Sequence, residues 1–178
     1  MTKVINRKSI FKGKLLEVFE DEILLPNGTK AIHHNASRPP VITVIPIDAD
    51  GSIYLISQYR YPFGKYVLEA VAGFVEKGEE LSHAVKRELK EETGIVAKTI
   101  MPLRTVQLSG SVFEAQAHLF LAKELSFDKA TPEDDEDITL VKMSIAEAVD
   151  KVIAGDIDHA ASIVGILLLD TLKRKGSL

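Results

Sequence analysis

One stretch limits what this chain can fold into more than any other: residues 73–95, GFVEKGEELSHAVKRELKEETGI. Leu81, Val85 and Leu89 recur at helical spacing between Gly73 and Gly78 on one side and Gly94 on the other. The pattern predicts a tight turn, one helix over about residues 80–92 and an immediate stop, because glycine adopts turn and C′ conformations that other residues resist. Glu88, Glu91 and Glu92 lie in the same helix. Offsets of three and four residues rotate by about 300° and 400°, so the three carboxylates fall on one side. Glu88 and Glu92 border the apolar stripe, Glu91 lies beyond them, and Lys86 and Lys90 take the opposite flank. Like charges four residues apart destabilise a helix unless something positive compensates them. A divalent cation such as Mg²⁺, which takes carboxylate, water and phosphate oxygens, would do so. The alternative is a solvated charged helix, and an Arg87–Glu91 pair at i, i+4 suits either.

Composition narrows the chemistry further. With 178 residues and 46% hydrophobic content, the chain is long enough for a sizeable core in one main domain, with room for a small appendage. It has no cysteine, so disulfides, thiolate metal sites and a cysteine nucleophile are excluded, leaving oxygen or imidazole ligands. Twenty-two basic against 26 acidic residues, with no long basic run, argue against a nucleic-acid partner. The N-terminal MTKVINRKSIFKGK lacks a continuous apolar segment, and no window approaches a membrane span. The expected protein is cytoplasmic, with no membrane association.

Residues 1–40 form the first predicted unit: KLLEVFEDEILLP alternates like a strand, and Pro26-Asn27-Gly28 turns it into a second run. Arg38-Pro39-Pro40 interrupts the pattern, since consecutive prolines donate nothing to a ladder. The second unit, residues 41–178, opens with VITVIPI and SIYLISQY, which Asp48-Ala49-Asp50-Gly51 is expected to join as a hairpin. YVLEAVAGFV leads to the helix, and two strand-like runs follow, separated by Ser109-Gly110-Ser111. After the acidic loop TPEDDED and the strand ITLVKM, Ser144 with Glu147 forms a capping box for a helix ending near Gly155, and residues 158–173 form an apolar helix. Helices alternating with sheet runs predict an α/β protein with a mixed β-sheet covered by helices.

The spacing in residues 73–95 goes beyond what a helix needs. Gly73, Glu79, Arg87-Glu88, aliphatic Leu89, Glu91-Glu92, Gly94 and aliphatic Ile95 match every defined position of the Nudix box. Seven fixed residues at about one in fifteen each would coincide in roughly one of 10⁸ random windows. The chain therefore resembles the Nudix hydrolases. The resemblance implies the Nudix fold, a mixed sheet sandwiched between helices (α/β/α) with a small N-terminal β-strand unit. It also implies metal-dependent cleavage of nucleoside diphosphates linked to another group. From about Val41 to Leu172 the likeness extends to the ADP-ribose pyrophosphatase branch, through Gln58-Tyr59-Arg60, Leu68 to Gly73, Ser109-Gly110 with Glu114, and Asp158 to Ser162. That branch usually has a proline between the serine and glycine where Ser109 here meets Gly110 directly.

Carried over residue by residue, the resemblance makes Glu88 and Glu92 the central metal ligands and Glu91 a ligand or orienting base, with the Ala72 carbonyl completing the set. The expected cofactor is Mg²⁺, with Mn²⁺ as the alternative, in two or more ions. Glu79 would bond Arg87 and fix the loop between Gly73 and Gly94. Within the acidic loop, family position favours Glu136 as a further ligand and Asp134 or Glu133 as general base. Arg38 and Arg60 are candidates for the diphosphate or terminal sugar, since guanidinium forks match phosphate oxygens. Glu69 and Glu114 are candidates for ribose hydroxyls or for extending the metal shell, and Gly110 for the substrate loop. Tyr59, Tyr61 and Phe63 are expected in core or interface packing before base stacking. A hairpin as small as the N-terminal unit is marginal alone, and in the resembling enzymes it crosses to a second subunit, so a homodimer sharing the substrate site is expected. Other possibilities are cleavage of nucleoside triphosphates or dinucleoside polyphosphates, and an ADP-ribose-binding module without turnover.

Overall fold

The computed structural model describes residues 1–132 and 137–178. They form two compact units, Met1–Pro40 with Gln107–Gln116, and Val41–Val106 with Ala117–Leu178.

The first unit is a sheet in the order β1 (Lys3–Lys12), β2 (Glu17–Leu24), β3 (Lys30–Ser37), β9 (Phe113–Glu114). The predicted turn joins β2 to β3, with Gly28 at φ +82° and Asn27 Oδ1 accepting the Thr29 N–H at 3.0 Å. Residues 107–116 differ from the boundary expected at residue 40. Ala36 and Ser37 pair in parallel with Phe113 and Glu114, and a two-residue pairing over that sequence distance has no local signature. β1 is exposed along its whole length.

The second unit contains two sheets. One is mixed, in the order β7 (Val71–Phe74), β4 (Val41–Pro46), β10 (Gln116–Phe127), β8 (Ile95–Gln107), with β4 and β10 parallel. The other is antiparallel, β11 (Ile138–Ser144), β5 (Ser52–Arg60), β6 (Lys65–Glu69). Three helices complete it: α1 (Leu81–Thr93), α2 (Ile145–Ala154) and α3 (Ala160–Arg174). Side chains alternate across the strands. Ile42, Val44, Tyr54 and Ile56 join a core with Val85 and Leu89 of α1. Ile45, Ile47, Ile53 and Leu55 join a second with Ile145 of α2 and Ile166 of α3. Helices thus cover both faces, as the α/β/α expectation requires.

The expected hairpin around Gly51 is not formed. The turn closes, Gly51 N–H donating to Asp48 O at 3.0 Å, but only Ile47 and Ile53 bridge before β4 and β5 join different sheets. Both strands are buried on two faces, and parting lets each lie between helices. The Ser144 cap is present, its Oγ accepting the Glu147 N–H at 3.1 Å. Among the described residues no helix is long and apolar enough to cross a membrane.

Candidate active site

Anchoring α1 through Val85 and Leu89 rotates one flank of its charged side toward the protein. Glu88 and Glu92 become buried, at 9% and 6% exposure, while Glu91 is half-exposed. Buried carboxylates are costly unless partnered, and Arg87 partners Glu88 together with Glu79 and Glu91. Its Nε and Nη2 each reach a Glu79 carboxylate oxygen at 3.0 Å. Its Nη1 donates to Glu88 Oε1 at 2.8 Å and Glu91 Oε2 at 3.2 Å, and Nη2 also donates to the Phe74 carbonyl at 3.0 Å. The fork holds Glu79 below its ordinary value of 4.5, and Glu79 in turn raises the Arg87 pKa. Part of the positive charge expected from a cation thus comes from the helix itself. Among the described residues no three His, Asp or Glu side chains are gathered as a metal cluster.

The backbone facing α1 explains Gly73. A Cβ there would lie 1.9 Å from Glu88 Oε1, so the carboxylate rests directly on the β7 backbone beside Ala72. This cradle of carboxylate oxygens packed on bare peptide fits a hard divalent cation, whose preferred donors are carboxylate and carbonyl oxygen. At the other end of α1, Gly94 closes the helix at φ +71°, its N–H donating to Lys90 O at 2.9 Å.

A second group lies at the end of β6. Glu69, 3% exposed, accepts from Arg60 Nε at 2.7 Å and lies 3.4 Å from His159 Nδ1. His159 Nδ1 and Ser162 Oγ are 2.8 Å apart, and Ser162 Oγ accepts the Ala70 N–H at 2.9 Å. Neither His159 nor Ser162 is assigned a role of its own by the sequence. Their signal was a polar pair at i, i+3 opening an otherwise apolar helix. Tyr59 and Tyr66 pack edge to face at 5.5 Å, and Tyr61 and Phe63 are largely exposed, so of the expected core or interface packing the core half does not hold for them.

In the first unit, Arg38 and Glu114 line a cleft of about 320 Å³ with Ser37, Pro40, Ala115 and Gln116. Burial pushes the Arg38 guanidinium pKa down, and the group lies 5.6 Å over the Phe113 ring. A neighbouring cleft of about 420 Å³ contains Gly110 and Glu114 together with Arg7 and Asn35. The proposed ligand and bases Glu136, Asp134 and Glu133 lie outside the described residues.

Comparisons with known proteins agree with the box. The NUDIX domain family matches residues 37–162. The ADP-ribose pyrophosphatase of Bacillus subtilis (strain 168) is 30% identical over 169 residues, covering 94% of this chain and 91% of that protein. The methanol dehydrogenase activator of Bacillus methanolicus is 30% identical over 178 residues, covering 97% and 96%. A crystal structure of ADP compounds hydrolase shares the fold, with a TM-score of 0.87 at 23% identity, covering 99% of this chain and 97% of the other. With the family matching most of the chain around a buried, Arg87-tied acidic helix, the chain belongs to the Nudix hydrolase family.

Proposed function

We propose that the chain hydrolyses the diphosphate bond of ADP-ribose and related nucleoside diphosphate sugars, giving a nucleoside monophosphate and a sugar phosphate. The observation that carries this is the Glu88 carboxylate seated on the Gly73 backbone with buried Glu92 one turn further along α1. Glu88, Glu92, the Ala72 carbonyl and Glu91 would hold Mg²⁺ or Mn²⁺. When bound, the ions supply charge neutralisation at the diphosphate and a water of lowered pKa. Arg87 holds Glu88 and Glu91 in orientation through its Nη1 hydrogen bonds, and Glu79 fixes Arg87. Arg60 and Arg38 would meet the diphosphate or terminal sugar, Glu69 and Glu114 the ribose hydroxyls, and Gly110 the substrate loop. A carboxylate among Glu133, Asp134 and Glu136 would accept the proton of the attacking water, with Glu136 able to serve as a further metal ligand. The relative named ADP-ribose pyrophosphatase, aligned over most of both chains, supports the choice of substrate.

The same proposal makes it a cytoplasmic homodimer joined through the N-terminal unit, a reading supported by Val4, Ile5, Ile10 and Phe11 of β1, each about half-exposed. Its net charge of −4 gives nucleic acid no broad field to bind. The test is product analysis in ¹⁸O water with Mg²⁺ across ADP-ribose, other nucleotide sugars, nucleoside triphosphates and dinucleoside polyphosphates. AMP and ribose 5-phosphate as the fastest products support the proposal. Preferred release of inorganic pyrophosphate from a triphosphate contradicts it.

A further inference from the structure

β6 and β7 are consecutive strands in different sheets. Glu69 is the last residue paired with β5, and Val71 the first paired with β4. Ala70 falls between the two ladders and is fully buried, so neither a strand partner nor solvent can serve its N–H. The acceptor is Ser162 Oγ at 2.9 Å, from the first turn of α3. At the other end of β7, the Phe74 carbonyl accepts from Arg87 Nη2 of α1 at 3.0 Å. Side chains of two helices therefore fix both ends of a four-residue strand, and Ala72 and Gly73 lie between them.

The Ser162 hydroxyl is itself oriented. It has one proton to donate and two lone pairs, so while accepting from Ala70 it also shares a hydrogen bond with His159 Nδ1, 2.8 Å away, in the direction set by the imidazole tautomer. His159 is also within 3.4 Å of buried Glu69, which holds Arg60. The tolerance at the far side is small: Glu88 lies so close to β7 that even a Cβ on Gly73 would overlap it. Any displacement of β7 reaches Glu88.

We propose that Ser162 and His159 are positioning residues, which set the place of the Ala72–Gly73 backbone against Glu88 and thereby the geometry of the cation cradle. The proposal rests on the hydrolase function above for the metal but not for the pinning of β7. Backbone amide exchange measured without metal tests the pinning. Mn²⁺ binding followed by electron paramagnetic resonance, without substrate, tests its consequence.

Ser162→Ala is expected to speed exchange at residues 71–74 about 10-fold with α1 unchanged, and to weaken Mn²⁺ binding roughly 10-fold, as loss of groups that orient ligands does. Ser162→Thr keeps the hydroxyl and should restore both. His159→Ala should act in the same direction with a smaller effect, and it carries the comparison if Ser162→Ala does not fold. Unchanged Mn²⁺ affinity in both alanine variants overturns the proposal. So does exchange that rises uniformly through the domain, or a Thr variant as weak as Ala. Wild-type protein that binds no Mn²⁺ contradicts the hydrolase function instead, and the metal-free exchange still decides whether β7 is pinned.

Discussion

A methyl group at residue 73 would meet Glu88 Oε1 at 1.9 Å and Cδ at 2.0 Å, but both atoms belong to the end of a flexible side chain. Gly73→Ala should therefore fold, with stability within about 1 kcal/mol of wild type, while Glu88 swings out of place. Turnover is expected to fall about 10–100-fold, the range seen when a ligand loses its orientation. Gly94 behaves oppositely. Its φ is +71°, and a Cβ there would lie 2.2 Å from the Asp128 carbonyl, which is backbone and cannot swing aside. Left-handed strain alone costs about 1–2 kcal/mol, so Gly94→Ala should lower the melting temperature by at least roughly 2–8 °C. Melting curves and turnover of the two variants test this: one glycine serves the site and the other the fold, although the motif contains both.

On the scale of elements, α1 depends on both its apolar stripe and its charge network. Leu89 is fully buried among Ile42, Val44 and Val85, and Leu89→Ala should cost about 2–5 kcal/mol in denaturant unfolding. Arg87 holds Glu79 below its ordinary value of 4.5. A carboxylate depressed in the folded state contributes stability above its unfolded pKa and loses it as pH falls through the folded value. Stability should therefore decline below about pH 4.5, and Glu79→Gln should flatten that decline and remain less stable at pH 7. A pH series of unfolding curves for the two proteins checks the sign. The helix was legible because its period, its glycine stop and the flank occupied by Glu88 and Glu92 are all local. The partners of β4 and β5 were not. A turn at Gly51 predicts a reversal, but strands buried on two faces choose partners by long-range packing, and those two join different sheets.

At the scale of the whole molecule, the box and the order of elements revealed the family and the layered fold, since both depend on spacing along the chain. Residues 107–116 escaped notice because a two-residue parallel pairing binds them to the N-terminal sheet. His159 and Ser162 escaped because their partners, Glu69 and Ala70, lie some 90 residues earlier. The half-exposed Val4, Ile5, Ile10 and Phe11 on β1 predict a dimer. Sedimentation at micromolar concentration should give twice the 19.6 kDa chain mass, and Phe11→Asp with Ile5→Asp should shift it toward one. A wild-type monomer contradicts the dimer.

If the buried carboxylates of α1 support diphosphate hydrolysis, AMP release from ADP-ribose with Mg²⁺ should depend on them, as a comparison of wild type, Glu88→Gln and Glu92→Gln will show. Wild type should give AMP and ribose 5-phosphate, none after chelation, and each variant should release them at least about 100-fold more slowly with the fold retained. Wild-type protein that binds ADP-ribose without cleaving it, or a glutamine variant that cleaves it at the wild-type rate, would contradict this role of the carboxylates.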